Sequence, residues 1–218
     1  MDIHHQKINP GYLAIIFTVF FIVSLIPVTL IVSEIHFPAP TQSSEEIISY
    51  FQNESNKVRI TAFMQFCSAI VLGLFVAVIV NRIRRLSDKS SLVNLIFLGG
   101  LMATLFVTVS ALLQWTLVQP DISKNGELTL PLYFLQFAFG GPGYSVPIGI
   151  FIAAISISAW YKKFLPKWLI VFGVILGIFG IASVLDLLSH TALPFIPLTR
   201  FPGFIWMIIA GFLIQRNI

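Results

Sequence analysis

Apolar residues form six long runs along the 218-residue chain, and shorter polar connections separate these runs. The runs cover residues 11–33, 60–81, 92–118, 131–160, 168–189 and 202–214. A helix needs roughly 20 apolar residues to cross the hydrocarbon layer of a bilayer, so six such helices account for most of the chain. The pattern predicts an all-α fold, a single bundle of six transmembrane helices.

The composition supports a membrane protein and argues against nucleic-acid binding. Hydrophobic residues make up 57% of the chain and charged residues 10%, with a mean hydropathy of +0.92. Soluble domains contain about 25% charged residues. The net charge of +4 would suit nucleic acid, but basic residues beside apolar runs are typical of membrane orientation and contact with anionic lipids. We therefore expect membrane lipids as partners and no nucleic acid.

Lysine and arginine residues lie mainly in alternate connections. Nine of the 13 lie on the side that holds both termini. The other side holds Lys57, Arg59, Lys124 and Arg200. Because cytoplasmic connections carry an excess of basic residues, the pattern predicts that the N- and C-termini and the second and fourth connections are cytoplasmic.

The first outer connection contains the signature of a helix start. Ser43 and Glu46 have the spacing of a capping box, in which each side chain bonds a backbone N–H of the first turn. Ile47, Ile48 and Phe51 follow at helical spacing on one face. The segment is predicted to be a short amphipathic helix in the outer headgroup layer, or alternatively a lead-in to the second span.

The fourth run contains a string that disfavours a regular helix. Gly140, Gly141, Pro142 and Gly143 occur in succession, and Pro147 follows. Proline removes an N–H donor and clashes with the preceding turn, and glycine weakens helices. Irregular backbone at membrane depth is tolerated only against protein or a wet cavity. The string predicts a break, either beside a binding site or as a kink for close packing.

Polar side chains recur in the predicted outer half of the runs. They are Arg59, Gln65, Gln114, Gln136, Asp186 and Arg200. A glutamine amide that faced lipid would lose its hydrogen bonds, so the three glutamines are predicted to point into the bundle. Asp186 and Arg200 bracket one connection and are expected to pair. The alternative is that the three charged groups extend into the headgroups.

Close packing is the simplest interpretation of a glycine edge in the fifth run. Gly173, Gly177 and Gly180 recur at spacings of three and four residues. Small residues at such spacing let membrane helices approach closely. We interpret this edge as structural.

The chain contains no complete catalytic or cofactor motif. His190 follows Asp186 by one helical turn, but two ligands are too few for a zinc site. No lysine lies mid-run to carry a Schiff base, and no histidine accompanies Ser145 to activate it. The sequence therefore predicts no catalytic residue, no metal and no cofactor.

Several strings resemble those of an uncharacterised bacterial family of multi-pass membrane proteins. They are Arg59 with residues 62–66, then 112–115, the Phe-Gly-Gly-Pro-Gly string 139–143, residues 165–168, and the Arg-Phe-Pro-Gly-Phe-Ile-Trp string from Arg200 to Trp206. The similarity extends over nearly the whole chain from the second run onward. It implies a bacterial inner-membrane protein with this topology, and it brings no substrate and no catalytic residue.

Together these patterns predict an outward-facing pocket, formed by spans two to six around the break, that binds or transports a small or amphipathic molecule. The candidate ligand-binding residues are Arg59, Gln65, Gln114, Gln136, Gly140, Gly141, Pro142, Gly143, Asp186, Arg200 and Trp206. The alternative is a non-catalytic membrane interaction or structural subunit, whose polar residues hold helices together or contact a partner. Nothing in the pattern favours or excludes a homo-oligomer.

Overall fold

The computed structural model describes residues 8–29, 36–86 and 90–216 of the chain. Within these residues, six helical stretches are long and apolar enough to cross a membrane: Pro10–Val28, Ser55–Leu86, Ser91–Leu117, Gly126–Lys162, Lys167–Leu187 and His190–Arg216. The described ranges contain helices and no β-strand. The predicted all-α, multi-pass membrane protein is confirmed at this level.

The chain builds nine α-helices within the described residues. They are α1 (Pro10–Leu25), α2 (Ser44–Asn53), α3 (Ser55–Leu86), α4 (Ser90–Leu117), α5 (Pro120–Ser123), α6 (Gly126–Ala138), α7 (Tyr144–Lys162), α8 (Lys167–Ala182) and α9 (Phe195–Arg216). A π-type turn, Phe139–Gly143, joins α6 to α7. Single 3-10 turns follow α1 and α8, and another precedes α9.

The last span begins earlier than the sequence predicts. Pro202 suggested a helix start, yet it lies inside α9, which already begins at Phe195. A proline inside a membrane helix is tolerated because neighbouring groups satisfy the freed backbone. Arg200 is therefore inside the helix rather than in the connection before it. The predicted end of the first span, residues 30–33, lies outside the described residues.

The six spans form a closed ring. Each packs against the spans next to it in the chain, and α1 packs against α9. A carbon placed at Gly211 of α9 would lie 2.8 Å from the Gly11 backbone nitrogen of α1. Arg82, near the end of α3, donates from Nη2 to the Ile8 carbonyl at 2.7 Å. The start of α1 and the end of α9 thus lie at the same end of the bundle.

At the other end of the bundle from the chain termini, an apolar cluster lies beneath α2. Ser43 and Glu46 form the reciprocal capping box at the start of α2. The apolar face of this helix is buried against protein, where Phe51 contacts the rings of Phe37 and Tyr133. Burial, reinforced by the negative charge of Glu54, raises the pKa of Tyr50 in the same cluster.

Candidate functional site

A cavity of about 820 Å³ opens among α1, α3, α4, α6 and α9, beside the break between α6 and α7. Its walls are largely apolar and include Phe21, Leu25, Val28, Phe37, Phe137 and Ile196. Its polar lining comes mainly from four helices: Gln65 of α3, Ser110 and Gln114 of α4, Gln136 of α6 and Arg200 of α9. Such a mixture of apolar surface with a few convergent polar groups is typical of ligand sites.

The three glutamines point into the bundle. Two of them bond each other, and the third bonds Ser110. Gln114 Nε2 donates to Gln65 Oε1 at 2.9 Å. Gln136 Nε2 donates to Ser110 Oγ at 3.0 Å, and that hydroxyl donates to the Gln136 carbonyl at 3.2 Å. Each glutamine is less than a tenth exposed. These bonds join α3 to α4 and α4 to α6, so they hold the cavity wall together.

Two amide oxygens at this wall lack a protein partner. Gln114 Oε1 and Gln136 Oε1 are buried and accept no hydrogen bond within the described structure. A buried acceptor without a partner costs free energy, because it has lost its bonds to water. Both residues line the cavity, but the two oxygens themselves are shielded from it by the surrounding protein.

The predicted break is confirmed in the backbone. Gly141 has φ −86° and ψ −106°, outside the helical region. As a result, the Tyr144 N–H bonds the Gly141 carbonyl, and the Gly140 carbonyl lacks the donor that a regular α-helix supplies. Arg200 donates from Nη2 to that Gly140 carbonyl. The break thus exposes an acceptor, and α9 provides its donor.

Aromatic rings also contact the Arg200 guanidinium. Its central carbon lies 5.1 Å from the ring centroid of Tyr144 and 5.4 Å from that of Phe21. Cations over ring faces are stabilised by the negative potential of the π system. The contacts orient the guanidinium beside the cavity, but they do not neutralise its charge.

Arg200 does not pair with Asp186, which corrects the predicted ion pair. In the described ranges no carboxylate lies within 4.0 Å of its guanidinium. Asp186, 3% exposed, instead accepts a hydrogen bond from, or pairs with, His190 Nδ1 at 3.2 Å. The turn after α8 places these two side chains one helical turn apart, and Asp186 does not line the cavity.

Two other candidate residues lie on the wrong helix face. Arg59 is exposed and lies outside the cavity, six residues before Gln65 on α3. Trp206 lies six residues after Arg200 on α9, fully buried, with Nε1 donating to the Leu169 carbonyl at 2.9 Å. Six residues rotate a side chain by about 240° around a helix, which separates the members of each pair.

The break contributes only part of its string to the cavity. Gly140 and Gly141 line it, whereas Pro142 and Gly143 lie outside the lining. The turn presents the backbone before the proline to the cavity and directs the backbone after it into α7.

The described ranges also hold no group of three histidine, cysteine or acidic residues suited to a metal.

Sequence reasoning missed several cavity residues. Ser110 lies one helical turn before Gln114 on α4, so the same-face spacing would have found it. The segment 36–40 forms part of the rim, held by Tyr133 Oη, which donates to the Pro38 carbonyl at 2.8 Å. No local pattern indicates this contact, because 95 residues separate its partners.

Comparison of the chain with known protein families, with curated proteins and with solved structures gives no match. The role of the cavity therefore has to be argued from its own geometry.

Proposed function

We propose that this membrane protein binds a small amphipathic molecule in the cavity, as a receptor or as a step in transport. The observation that carries the proposal is one cavity of about 820 Å³ whose apolar walls meet polar side chains of four helices, among them Arg200. Ligand cavities for small molecules commonly measure about 300–1,000 Å³.

The distribution of the lining supports an amphipathic ligand over a wholly polar one. Gln65, Gln114 and Gln136 contribute amide groups to the lining, and Arg200 contributes a guanidinium. Aromatic and aliphatic side chains of α1, α6 and α9 form the remaining walls. A molecule with a polar head and an apolar body satisfies both surfaces, whereas water alone leaves the apolar walls uncovered.

The rim offers a direct test of binding. Ala39 is exposed and lines the cavity, while its backbone N–H bonds Gln42 Oε1 at 2.6 Å. Replacing Ala39 with tryptophan keeps that backbone bond and obstructs the cavity. We expect native mass spectrometry of the gently solubilised wild-type protein to show a retained amphiphile, and A39W to lose most of it.

Thr41 provides the matched control. It is exposed, directly follows segment 36–40 and lies outside the cavity lining. T41W adds the same ring nearby and is expected to retain the amphiphile as the wild type does. Equal retention by A39W and T41W would contradict binding in the cavity and favour the alternative, a non-catalytic interaction or structural subunit.

We further propose a bacterial cytoplasmic membrane, membership of the uncharacterised multi-pass family and cytoplasmic termini, so that the cavity and α2 face outward. The support is the sequence resemblance and the excess of basic residues at the end of the bundle that holds the start of α1.

Orientation is testable with single cysteines. In a Cys67→Ala background, Lys124→Cys lies beside α5, and Lys163→Cys lies at the opposite end of the bundle, after α7. A membrane-impermeant maleimide applied to intact spheroplasts is expected to label K124C and to spare K163C until the membrane is opened. The reverse labelling pattern would overturn the proposed orientation.

A further inference from the structure

We propose that the ligand is acidic, with a carboxylate or phosphate head held by Arg200 and an apolar body along the cavity wall. This inference rests on the proposed function and specifies the chemical class of its ligand. It depends on the charge, the free hydrogen-bonding groups and the surroundings of one arginine.

Within the described part of the chain, the charge of Arg200 has no opposite charge beside it, and it lies at membrane depth, where an unpaired charge is costly. The residue lies inside a membrane-spanning helix, and no acidic side chain of the described residues lies within ion-pair distance. The described cavity lining contains no aspartate or glutamate, and its other titratable residue is His36. Ionisable groups at membrane depth are ordinarily paired and are often functional. A bound anion supplies the missing pair.

The guanidinium also has unused hydrogen-bonding capacity. Among the described residues its one acceptor is the Gly140 carbonyl, which bonds Nη2, and its Nε is shielded by protein and has no partner there. A guanidinium presents five N–H groups in a planar fork that matches carboxylate and phosphate oxygens. The residue as a whole is half-buried, and the fork of its remaining Nη N–H groups suits a bidentate anion better than a neutral carbonyl.

The polar groups beside Arg200 in the described structure are electrically neutral. Gly140 packs tightly against Ser110 and Gln136: a carbon placed at Gly140 would lie 2.5 Å from Ser110 Oγ and 3.4 Å from Gln136 Nε2. This packing fixes the Gly140 carbonyl, and with it the Arg200 guanidinium, at the side of the cavity. Among the described lining residues, no negative side chain would repel an incoming anion.

A purely structural role for Arg200 makes a different prediction. If Arg200 only satisfies the Gly140 carbonyl, removing it destabilises the break, and headgroup preference does not depend on it. If Arg200 binds the ligand, the preference for anions depends on its charge. Headgroup selectivity, rather than stability alone, separates these two roles.

The experiment measures binding of ligands with one twelve-carbon chain and different heads, by calorimetry on the full-length protein in zwitterionic nanodiscs. The series is dodecyl phosphate, dodecanoate, neutral dodecanamide and cationic dodecyltrimethylammonium. We expect both anions to bind the wild type about ten- to a hundredfold more tightly than the amide. Inorganic phosphate and acetate serve as chain-free arms, and weak binding of both assigns the site to an amphiphile rather than a free anion.

Variants assign the selectivity to Arg200. R200Q is expected to lose the preference for anions while it still binds the amide, and R200K to keep part of that preference. R59Q removes an exposed arginine outside the cavity and is the matched control with unchanged selectivity. If R200Q fails to fold, the wild-type series and R200K still decide the question.

The outcomes separate this inference from the proposed function. Equal binding of anions and amide by the wild type, still blocked by A39W, would overturn the acidic ligand and leave amphiphile binding intact. Anion preference that survives in R200Q would also overturn the role of Arg200. Absence of binding by every amphiphile in the series would contradict the proposed function itself.

Discussion

Replacing Gly180 with leucine is expected to destabilise the bundle by about 3 kcal/mol or more. Gly180 of α8 packs directly on the backbone of α7, where a Cβ would lie 2.7 Å from Gly149 Cα and 2.7 Å from the Ser145 carbonyl oxygen. Backbone atoms cannot move aside as a flexible side chain does. The two helices would have to separate along their contact.

Thermal unfolding in mild detergent, with size-exclusion chromatography, measures this effect. Val171 provides the control, because it lies on the exposed face of the same helix. V171L adds one methylene group toward lipid and is expected to leave the melting temperature unchanged. A G180L protein that melts with the wild type would show that α7 and α8 are not in close contact at this point.

Replacing Trp206 with alanine is expected to cost about 3–5 kcal/mol. The indole is fully buried in the apolar core between the spans, and its Nε1 donates to the Leu169 carbonyl of α8. Removing it leaves a large cavity between helices and breaks the interhelical hydrogen bond to Leu169. In a membrane, helix association depends on such packing and interhelical hydrogen bonds, since lipid is as apolar as the core.

Two further variants separate packing from ligand binding at Trp206. W206F keeps most of the ring volume and loses one hydrogen bond, so a loss of about 1 kcal/mol is expected, with unchanged headgroup selectivity. Trp168, 58% exposed at the start of α8, is the control, and W168A is expected to have little effect on melting. A W206F protein that unfolds normally but loses ligand selectivity would return Trp206 to the binding site.

Several features of the cavity follow from local chemistry and were predictable. Buried glutamines in an apolar run require hydrogen-bond partners, so Gln65, Gln114 and Gln136 had to face inward. Proline and glycine disrupt α-helical bonding wherever they are concentrated, so a break near Pro142 was expected. Neither conclusion depends on how the helices are arranged.

Other features depend on rotation of each helix about its axis and on contacts distant in sequence. Arg59 and Gln65 are close in the chain but lie on different faces of α3, and only the packing of α3 decides which face meets the cavity. The partner of Asp186 is His190 and not Arg200, because the turn after α8 and the early start of α9 separate the two charged residues. The depth of a residue in the membrane does not show which face of its helix it occupies or which side chain it meets.

The sequence by itself determined the six spans, the all-α class and the chemical character of the polar residues, because a bilayer imposes length and hydropathy on each helix independently. Only the tertiary structure decided that Arg200 bonds the Gly140 carbonyl beside the hydrogen-bonded glutamines, and that segment 36–40 forms the rim of the cavity. The physical reason is that a shared cavity depends on the relative rotation and packing of several helices, and no local stretch of sequence encodes that arrangement.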